Sequence, residues 1–215
     1  MPPTATIKVL IADDHAIVRR GLKEILEETQ DIIVAGEASN AREALEKLQA
    51  ESWDVLVLDI TMPGRSGLDI LKDIKQIRSG LPVLVLSMHA EEQFATRVIK
   101  AGASGYLNKE SAPDELVKAI RKVFSGGKYV SAAQAERMVD ELTGDITRQP
   151  HELLSDREYE ILCLIASGKT PTQIAKGLSL SVKTVSTYRA RILEKMRLST
   201  NAELTHYAIK NGLVS

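Results

Sequence analysis

The sequence contains a single cysteine, Cys163, among 215 residues. One thiol excludes an internal disulfide and a cysteine-built metal cluster, and because it lies in an apolar run we expect a buried core side chain. No apolar run approaches the roughly 20 residues that a membrane span needs. The N-terminus lacks the basic and apolar regions of a signal peptide. These absences predict a cytoplasmic protein that does not enter a membrane.

The net charge of −1 conceals two halves of opposite sign. Residues 1–125 carry 16 Lys or Arg against 19 Asp or Glu, whereas residues 151–215 carry 9 against 6. Within residues 168–197 there are seven basic side chains and one acidic side chain, Glu194. A basic stripe is typical of a polyanion-binding surface, although a solvated helix face has the same composition.

Short apolar runs alternate with amphipathic segments through residues 1–125. The apolar runs predict strands at Ile7–Ala12, Ile32–Gly36, Val55–Leu58, Val83–Leu86 and Ser104–Leu107. The amphipathic segments predict helices at Ala16–Glu28, Ala41–Ala50, Leu68–Arg78, Glu91–Ala101 and Asp114–Phe124. This alternation predicts an α/β fold, a five-stranded doubly wound parallel sheet with helices on both faces. Ligands of such a fold bind at the carboxyl ends of the strands.

Residues 126–150 have a different composition from the segments on either side. They begin with the helix breaker Gly126-Gly127 and include one short amphipathic stretch, Ala132–Leu142. We interpret this segment as a linker that is partly helical.

Residues 151–215 have no strand-like runs and several closely spaced helix starts, which predict a small all-α domain of four helices. A short helix starts at Thr170-Pro171, a turn follows at Ser179–Ser181, and a longer basic helix covers Val182–Met196. Short helix, tight turn and long basic helix are the pattern of a helix-turn-helix.

Three aspartates stand at predicted strand ends in the first domain. Asp13 and Asp14 follow the first strand and Asp59 follows the third. In a sheet of order 2-1-3-4-5 these strands are neighbours, so the three carboxylates meet at one edge. Their mutual repulsion is costly, and Mg²⁺ would relieve it. A carboxylate can also act as the nucleophile toward a phosphoryl group.

The next two strands end in groups that suit the same chemistry. The fourth strand ends at Ser87, a hydroxyl donor, and the fifth leads to Lys109, whose ammonium can pair with Asp59 or with a phosphate on it. Each residue alone has an ordinary explanation, since Asp14 could cap the next helix and a lone lysine is usually solvated. All five residues together at the strand ends indicate a phosphoryl-transfer site more specifically than any one of them does.

Residues 5–125 resemble the receiver domain of a bacterial two-component response regulator, a flavodoxin-like fold. The resemblance rests on Asp13-Asp14, Leu58–Gly64, Leu86-Ser87 and Gly105–Lys109. It implies that a sensor histidine kinase phosphorylates Asp59. It also implies that Mg²⁺ is bound by Asp13, Asp14, Asp59 and the backbone carbonyl of Thr61, that Ser87 is the switch hydroxyl, that Tyr106 swings inward behind it, and that Lys109 pairs with the phosphate.

Two features of this segment are specific to the chain. Glu110 follows Lys109 where many receivers have a proline with a cis peptide bond, so the geometry of that bond stays open. Thr61 and His89 lie two residues beyond Asp59 and Ser87, and we expect them to control water's access to the acyl phosphate and thus its lifetime. The alternative for His89 is an ordinary surface histidine.

Residues 150–215 resemble the LuxR-type helix-turn-helix of the NarL/FixJ class. The matching segments are Leu154–Glu158, Ala166–Thr170, Gln173–Ala175 and Leu180–Val185. The resemblance implies binding to double-stranded DNA through the helix Val182–Met196. The expected DNA contacts are Lys183, Thr184, Ser186, Thr187, Arg189 and Arg191, with Ser186 and Thr187 near base edges and the others at phosphates or in mixed roles.

The same resemblance implies a homodimer when the protein is phosphorylated, paired through the last helix. Apolar residues there, among them Leu204 and Ile209, supply either that surface or the core of the domain itself. The resemblance further implies that the unphosphorylated receiver covers the recognition helix.

The leading hypothesis is therefore a transcription regulator switched by phosphorylation. It is not an enzyme, beyond accepting a phosphoryl group and supporting its own dephosphorylation. One alternative is a metal-dependent phosphohydrolase, but Thr61 stands where those enzymes carry a second acid, and the loop G-x-x-x-x-G-K-[ST] is absent. Another is a phosphate-independent dimerisation module with constitutive DNA binding.

Overall fold

The structure is a computed structural model that describes residues 6–60, 62, 67–87, 91–131, 135–136 and 149–214. Its first part contains one parallel sheet with the strand order β2-β1-β3-β4-β5. The strands are β1 Ile7–Ala12, β2 Ile32–Ala38, β3 Val55–Asp59, β4 Val83–Ser87 and β5 Gly105–Asn108. Both the doubly wound fold and the strand order are confirmed.

Helices cover both faces of the sheet, as the continuous apolar strands require. They are α1 Ala16–Glu27, α2 Ala41–Ala50, α3 Gly67–Ile77, α4 Glu91–Lys100 and α5 Ala112–Phe124. Side chains of a strand alternate between the faces. Accordingly, Val9 packs with α1 and α5 in one apolar cluster, whereas Leu10 packs with α2, α3 and α4 in the other.

Residues 149–214 form the predicted all-α domain. A 3-10 turn at Pro150–Leu153 precedes α6 Asp156–Ala166, α7 Pro171–Gly177, α8 Val182–Met196 and α9 Asn201–Lys210. Each of the four helices starts at a Ser or Thr whose side chain accepts a backbone N–H from the first turn. Such caps stabilise a helix start by about 1 kcal/mol. The two helices of the helix-turn-helix are α7 and α8.

The core of this domain contains Cys163, as expected, and burial raises the pKa of its thiol to about 12. Within the described part of the chain, no helix is both long enough and apolar enough to cross a membrane. The predicted linker helix Ala132–Leu142 falls almost entirely outside the described residues.

Three strands are longer than predicted: β2 continues to Ala38, and the extensions of β3 and β4 reach functional positions. Asp59 was expected just past β3 but is its last residue, paired with Leu86 of β4. Ser87 is likewise the last residue of β4 and pairs with Asn108. Strand pairing therefore fixes the backbone of both residues, so their positions depend on the sheet and not on a loop.

Candidate functional site

The acidic site forms where β1 and β3 end side by side. Ala12 pairs with Leu58, which places Asp13 and Asp14 next to Asp59. Carboxylate oxygens of the three aspartates and a nitrogen of His15 lie within 4.8 Å of one another. Asp13 and Asp59 are each only 1% exposed. The structure thus brings together the three predicted aspartates, and it adds His15.

Lys109 balances the charge of this cluster. Its Nζ donates to Asp59 Oδ2 at 2.7 Å and forms an ion pair with Asp13 Oδ2, also at 2.7 Å. Burial would lower the pKa of Lys109, but the charges of Asp59 and Asp13 outweigh it and hold that pKa above its usual value. The lysine is held against β4 because its backbone N–H donates to Ser87 O at 2.9 Å. The Lys109–Glu110 peptide bond is trans.

Two oxygens of the cluster suit a metal ion. The buried oxygens Asp13 Oδ2 and Asp14 Oδ1 have no well-directed hydrogen bond from the described residues; their neighbours are the Lys109 ammonium at 2.7 Å and a ring nitrogen of His15 at 2.9 Å. Buried oxygens of this kind ordinarily have donors or a cation. Asp13 Oδ1, by contrast, accepts the backbone N–H of His15 at 2.7 Å. Carboxylate oxygens grouped in this way are the ligands that Mg²⁺ prefers, so the residues fit that ion.

Asp14 does not have the ordinary role that its position allowed. His15, not Asp14, occupies the N-cap position of α1, and His15 Nδ1 lies 2.9 Å from Asp14 Oδ1. His15 was not among the predicted site residues. The only signal was its place directly after two acidic residues and before a helix.

The two switch positions are buried beside this cluster. Ser87 and Tyr106 are both fully buried, and Tyr106 pairs with Val85 across β4 and β5. The Tyr106 ring therefore already lies inside the protein, whereas the resemblance implied an inward swing upon phosphorylation. Thr61 and His89 lie outside the described residues.

The recognition helix α8 presents one apolar and one polar face. Val185, Ile192 and Leu193 are buried, as predicted. The expected DNA contacts lie on the other faces: Lys183, Ser186, Thr187 and Arg191 are exposed, and Thr184 and Arg189 are half-buried. Ser181, Lys183, Thr184, Thr187, Tyr188 and Arg191 line a shallow cavity of about 310 Å³.

Three hydrogen bonds of α8 side chains were not predicted. Arg189 Nε donates to Asn201 Oδ1 at 2.6 Å, which ties α8 to the start of α9. Ser186 and Thr187 each donate the hydroxyl hydrogen to the backbone carbonyl four residues earlier, at 2.9 and 3.0 Å. These bonds leave the hydroxyl oxygens available mainly as acceptors.

The contact between the two domains in this structure includes α4 of the receiver. Arg97 donates to the backbone carbonyls of His151 and Leu154, which precede α6. Several side chains of α8, among them Lys183 and Arg191, are exposed and are not covered by the described part of the receiver. That the unphosphorylated receiver covers the recognition helix stays a prediction.

The last helix divides its apolar residues between two roles. Leu204, Ala208 and Leu213 are buried within the domain, whereas Ala202 is exposed and the side chain of Ile209 is 58% exposed. The alternative of internal packing therefore holds for three of these five residues.

Comparison with known families identifies both domains. Residues 9–121 match the family model described as response regulator receiver domain, and residues 152–208 match that of bacterial regulatory proteins, luxR family. The chain belongs to the response regulators. It joins a receiver domain to a LuxR-type DNA-binding domain, and it is homologous to transcription regulators.

Relatives of this response regulator align over nearly their whole length. The response regulator UvrY of Escherichia coli (strain K12) is 38% identical over 96% of this chain and 95% of its own. The response regulator GacA of Pseudomonas protegens is 36% identical over 97% of this chain and 98% of its own.

Solved structures of response regulators also resemble the whole chain. The response regulator RcsB of Salmonella typhimurium is 28% identical, covers 97% of this chain and 100% of its own, and superposes with a TM-score of 0.73. RcsB bound to promoter rprA in the presence of the phosphomimetic BeF3− superposes with a TM-score of 0.67 at 28% identity, over 94% of this chain and 98% of its own.

Proposed function

We propose that Asp59 is the phosphoacceptor and that a sensor histidine kinase is the donor. The contact between Lys109 Nζ and Asp59 Oδ2 at 2.7 Å carries this proposal. An oxygen of the Asp59 carboxylate attacks the phosphorus of a phosphohistidine, the P–N bond breaks, and the histidine ring leaves with the bonding pair. Lys109 then moves from the bare carboxylate to an oxygen of the phosphoryl group, where its charge stabilises the transition state.

The metal belongs to the same proposal. Asp13, Asp14 and Asp59 would hold Mg²⁺ with the backbone carbonyl of Thr61, and the ion would supply positive charge to the transferring phosphoryl oxygens. The buried carboxylate oxygens of Asp13 and Asp14 described above support this donor set.

Ser87 and Tyr106 would change position when Asp59 is phosphorylated. Ser87 directly follows Leu86, the residue that pairs with Asp59 across β3 and β4, so we expect its hydroxyl to reach a phosphoryl oxygen on Asp59. The added charge of about −1.5 to −2 supplies the free energy for such a shift. The protein would also support its own dephosphorylation, with Thr61 and His89 controlling access of water.

The DNA-binding surface would consist of Lys183, Thr184, Ser186, Thr187, Arg189 and Arg191. Cations and hydroxyls around the cavity on α8 suit phosphate oxygens. Because Ser186 and Thr187 use their hydrogens within the helix, we expect them to accept from the amino groups of adenine or cytosine. The RcsB complex with promoter DNA and BeF3− supports duplex DNA as the partner. We expect a homodimer in the phosphorylated state.

A phosphotransfer assay tests the proposal. Purified full-length protein is incubated with radiolabelled acetyl phosphate and Mg²⁺, and the covalent label is measured. Asp59→Asn should abolish labelling, and removing Mg²⁺ should reduce it strongly. The matched control is Asp54→Asn at the opposite end of the same strand, where the carboxylate accepts the backbone N–H of Lys8; it should label normally.

The outcomes separate the alternatives. If the Asp59→Asn variant retained the label, Asp59 would not be the phosphoacceptor. Normal labelling with unchanged DNA binding would instead favour the phosphate-independent dimerisation module. Steady release of many phosphates per chain would favour the phosphohydrolase.

A further inference from the structure

A basic cleft of about 480 Å³ lies where the strands of the receiver begin, at the opposite end of the sheet from Asp59. Pro82, directly before β4, and Ser104, directly before β5, are part of its wall. The five residues of β4 separate the two ends of the sheet by roughly 16 Å. Among the described residues that line this cleft, two are lysines, Lys75 and Lys128, and none is acidic. The cleft is therefore distinct from the acidic site and opposite to it in charge.

Both lysines are held in place by backbone carbonyls. Lys75 Nζ donates to Leu81 O and Lys128 Nζ donates to Ala103 O, each at 2.6 Å. Leu81 and Ala103 lie just before β4 and β5, which are paired neighbours, so the two ammonium groups are held side by side. Within the described parts of the chain, neither lysine forms an ion pair with a carboxylate. Because an ammonium has three donors, each lysine keeps two for a ligand.

The two ammonium groups repel each other. Burial is the main cause that lowers the pKa of Lys75, and the charge of Lys128 lowers it further. Gly102, at a φ of +106°, lets the Lys75 stem lie against the backbone, since a Cβ there would come within 3.1 Å of Lys75 Cγ. The fold thus keeps two like charges together at a cost in stability, and a bound anion would offset that cost.

Two hydroxyl groups add further donors to the cleft. Ser79 and Ser104 both line it, and among the described residues neither hydroxyl has a hydrogen-bond partner. Two ammonium groups match the double negative charge of a phosphate monoester. The lysine and serine donors together suit its three terminal oxygens, and hydrogen bonds to such charged oxygens are among the stronger ones in proteins.

An adjoining cleft of about 560 Å³ offers a less polar surface. It shares Ser79-Gly80 and Pro82 with the basic cleft, and its wall includes Trp53, Ile77 and Phe124. The side chains of Ile77 and Phe124 are 37% and 41% exposed, which is unusual for large apolar residues. A ligand whose phosphate lies in the basic cleft can therefore cover these two side chains with its organic group.

We propose that Lys75 and Lys128 form a binding site for a small phosphate monoester. Its phosphate lies between the two ammonium groups, and its organic group lies in the adjoining cleft against Ile77 and Phe124. Inorganic phosphate satisfies the same donors but leaves the adjoining cleft unfilled, so an ester binds more tightly. The site requires neither Mg²⁺ nor the carboxylate of Asp59.

Calorimetric titration of the full-length protein with phenyl phosphate and with inorganic phosphate tests the site at millimolar concentrations. The buffer lacks Mg²⁺, and chloride keeps the ionic strength constant. Lys75→Gln and Lys128→Gln each remove one charge from the cleft. Lys118→Gln is the matched control, because it removes an exposed lysine of α5 that lines neither cleft. The fluorescence of Trp53, the single tryptophan of the chain, gives a second signal for occupation of the adjoining cleft.

We expect phenyl phosphate to bind the wild type about fivefold more tightly than inorganic phosphate, because its ring covers apolar surface. Lys75→Gln and Lys128→Gln should each weaken the binding of both ligands about tenfold, through loss of a charged hydrogen-bond donor. Lys118→Gln should bind like the wild type. Both ligands should raise the unfolding temperature of the wild type, and unfolding without ligand verifies that each variant folds.

A further variant separates the phosphate from the organic group. Phe124→Ser leaves both lysines in place, so it should weaken binding of phenyl phosphate and leave binding of inorganic phosphate unchanged. If neither ligand bound to the wild type, or if the folded lysine variants bound both ligands as tightly as the wild type, the anion site would be overturned. Equal affinity of the wild type for the two ligands would overturn the role of the adjoining cleft.

Discussion

The two domains form their functional surfaces in opposite ways. The receiver buries its charged side chains and collects them from distant parts of the chain: Asp13, Asp59 and Lys109 come from three strand ends, and Lys109 contacts both aspartates at 2.7 Å. The DNA-binding domain takes the six residues of its proposed DNA surface from a single helix, α8, and exposes four of them. A buried set depends on the whole sheet, whereas an exposed set on one helix depends on local structure.

The largest effect on stability is expected when Lys109 is removed from the buried charge cluster of the receiver. Lys109→Met leaves Asp13 and Asp59 buried without their counter-ion, and losing one partner of a buried ion pair costs about 3–5 kcal/mol. We expect a loss of this order in the free energy of unfolding of the receiver, measured by urea denaturation, and partial recovery with Mg²⁺. The exposed Lys118→Met should have almost no effect. Equal stability of both variants would contradict the role given to Lys109.

A smaller effect is expected from Glu158 at the start of α6. Its carboxylate accepts from the backbone of Ser155 and from Lys195 Nζ at 2.6 Å. Burial would raise the pKa of Glu158, but these contacts prevail and lower it below its usual 4.5. A lowered pKa stabilises the folded form above the unfolded value, and this stability is lost as the pH falls through the folded value.

Glu158→Gln should therefore reduce the stability of the second domain by about 1–2 kcal/mol at neutral pH and flatten its decline below about pH 5. Glu160 is the control on the same helix, because burial raises the pKa of its carboxyl although Arg157 opposes this. Its ionised form is disfavoured by folding, so its protonation offsets part of the loss of stability in acid, and Glu160→Gln should make the decline slightly steeper, the opposite of Glu158→Gln. Thermal unfolding of the Glu158→Gln and Glu160→Gln variants is measured from pH 3 to 7. Identical pH profiles would contradict the opposite pKa shifts of the two carboxyls.

The smallest effect on stability is expected on the exposed face of α8. Lys183→Ala should leave the unfolding free energy within about 0.5 kcal/mol of the wild type. It should weaken DNA binding with little dependence on sequence and reduce the slope of affinity against salt by about one charge. Fluorescence anisotropy at several salt concentrations gives this slope, with Lys118→Ala as the control. An unchanged slope would remove Lys183 from the phosphate contacts.

Much of both domains could be predicted because the signals were periodic or local. The parallel sheet follows from five apolar runs separated by amphipathic segments, and the start of α7 follows from Thr170-Pro171. The acidic site followed from topology, since Asp13, Asp14 and Asp59 end neighbouring strands. Strand ends were less predictable because pairing with β4 extends β3 through Asp59, and such pairing leaves no mark in the local pattern.

Contacts between side chains distant in sequence were not predictable. Arg97 has an ordinary place in an amphipathic helix, and only the assembled structure brings it to His151 and Leu154, 54 and 57 residues away. The tie between Arg189 and Asn201 and the contact of His15 with the acidic cluster are of the same kind. Each depends on how two elements are oriented, which composition and periodicity do not specify.

The two domains, the order of their elements and the residues at the carboxyl ends of the strands were predictable from the sequence alone, because hydrophobic periodicity, helix caps and charge are properties of neighbouring residues. The burial of Tyr106, the outward face of α8 and the contact of Arg97 with the second domain became apparent only in the folded protein. These features depend on which surfaces meet. That choice is made by shape and hydrogen-bond complementarity between segments far apart in the chain.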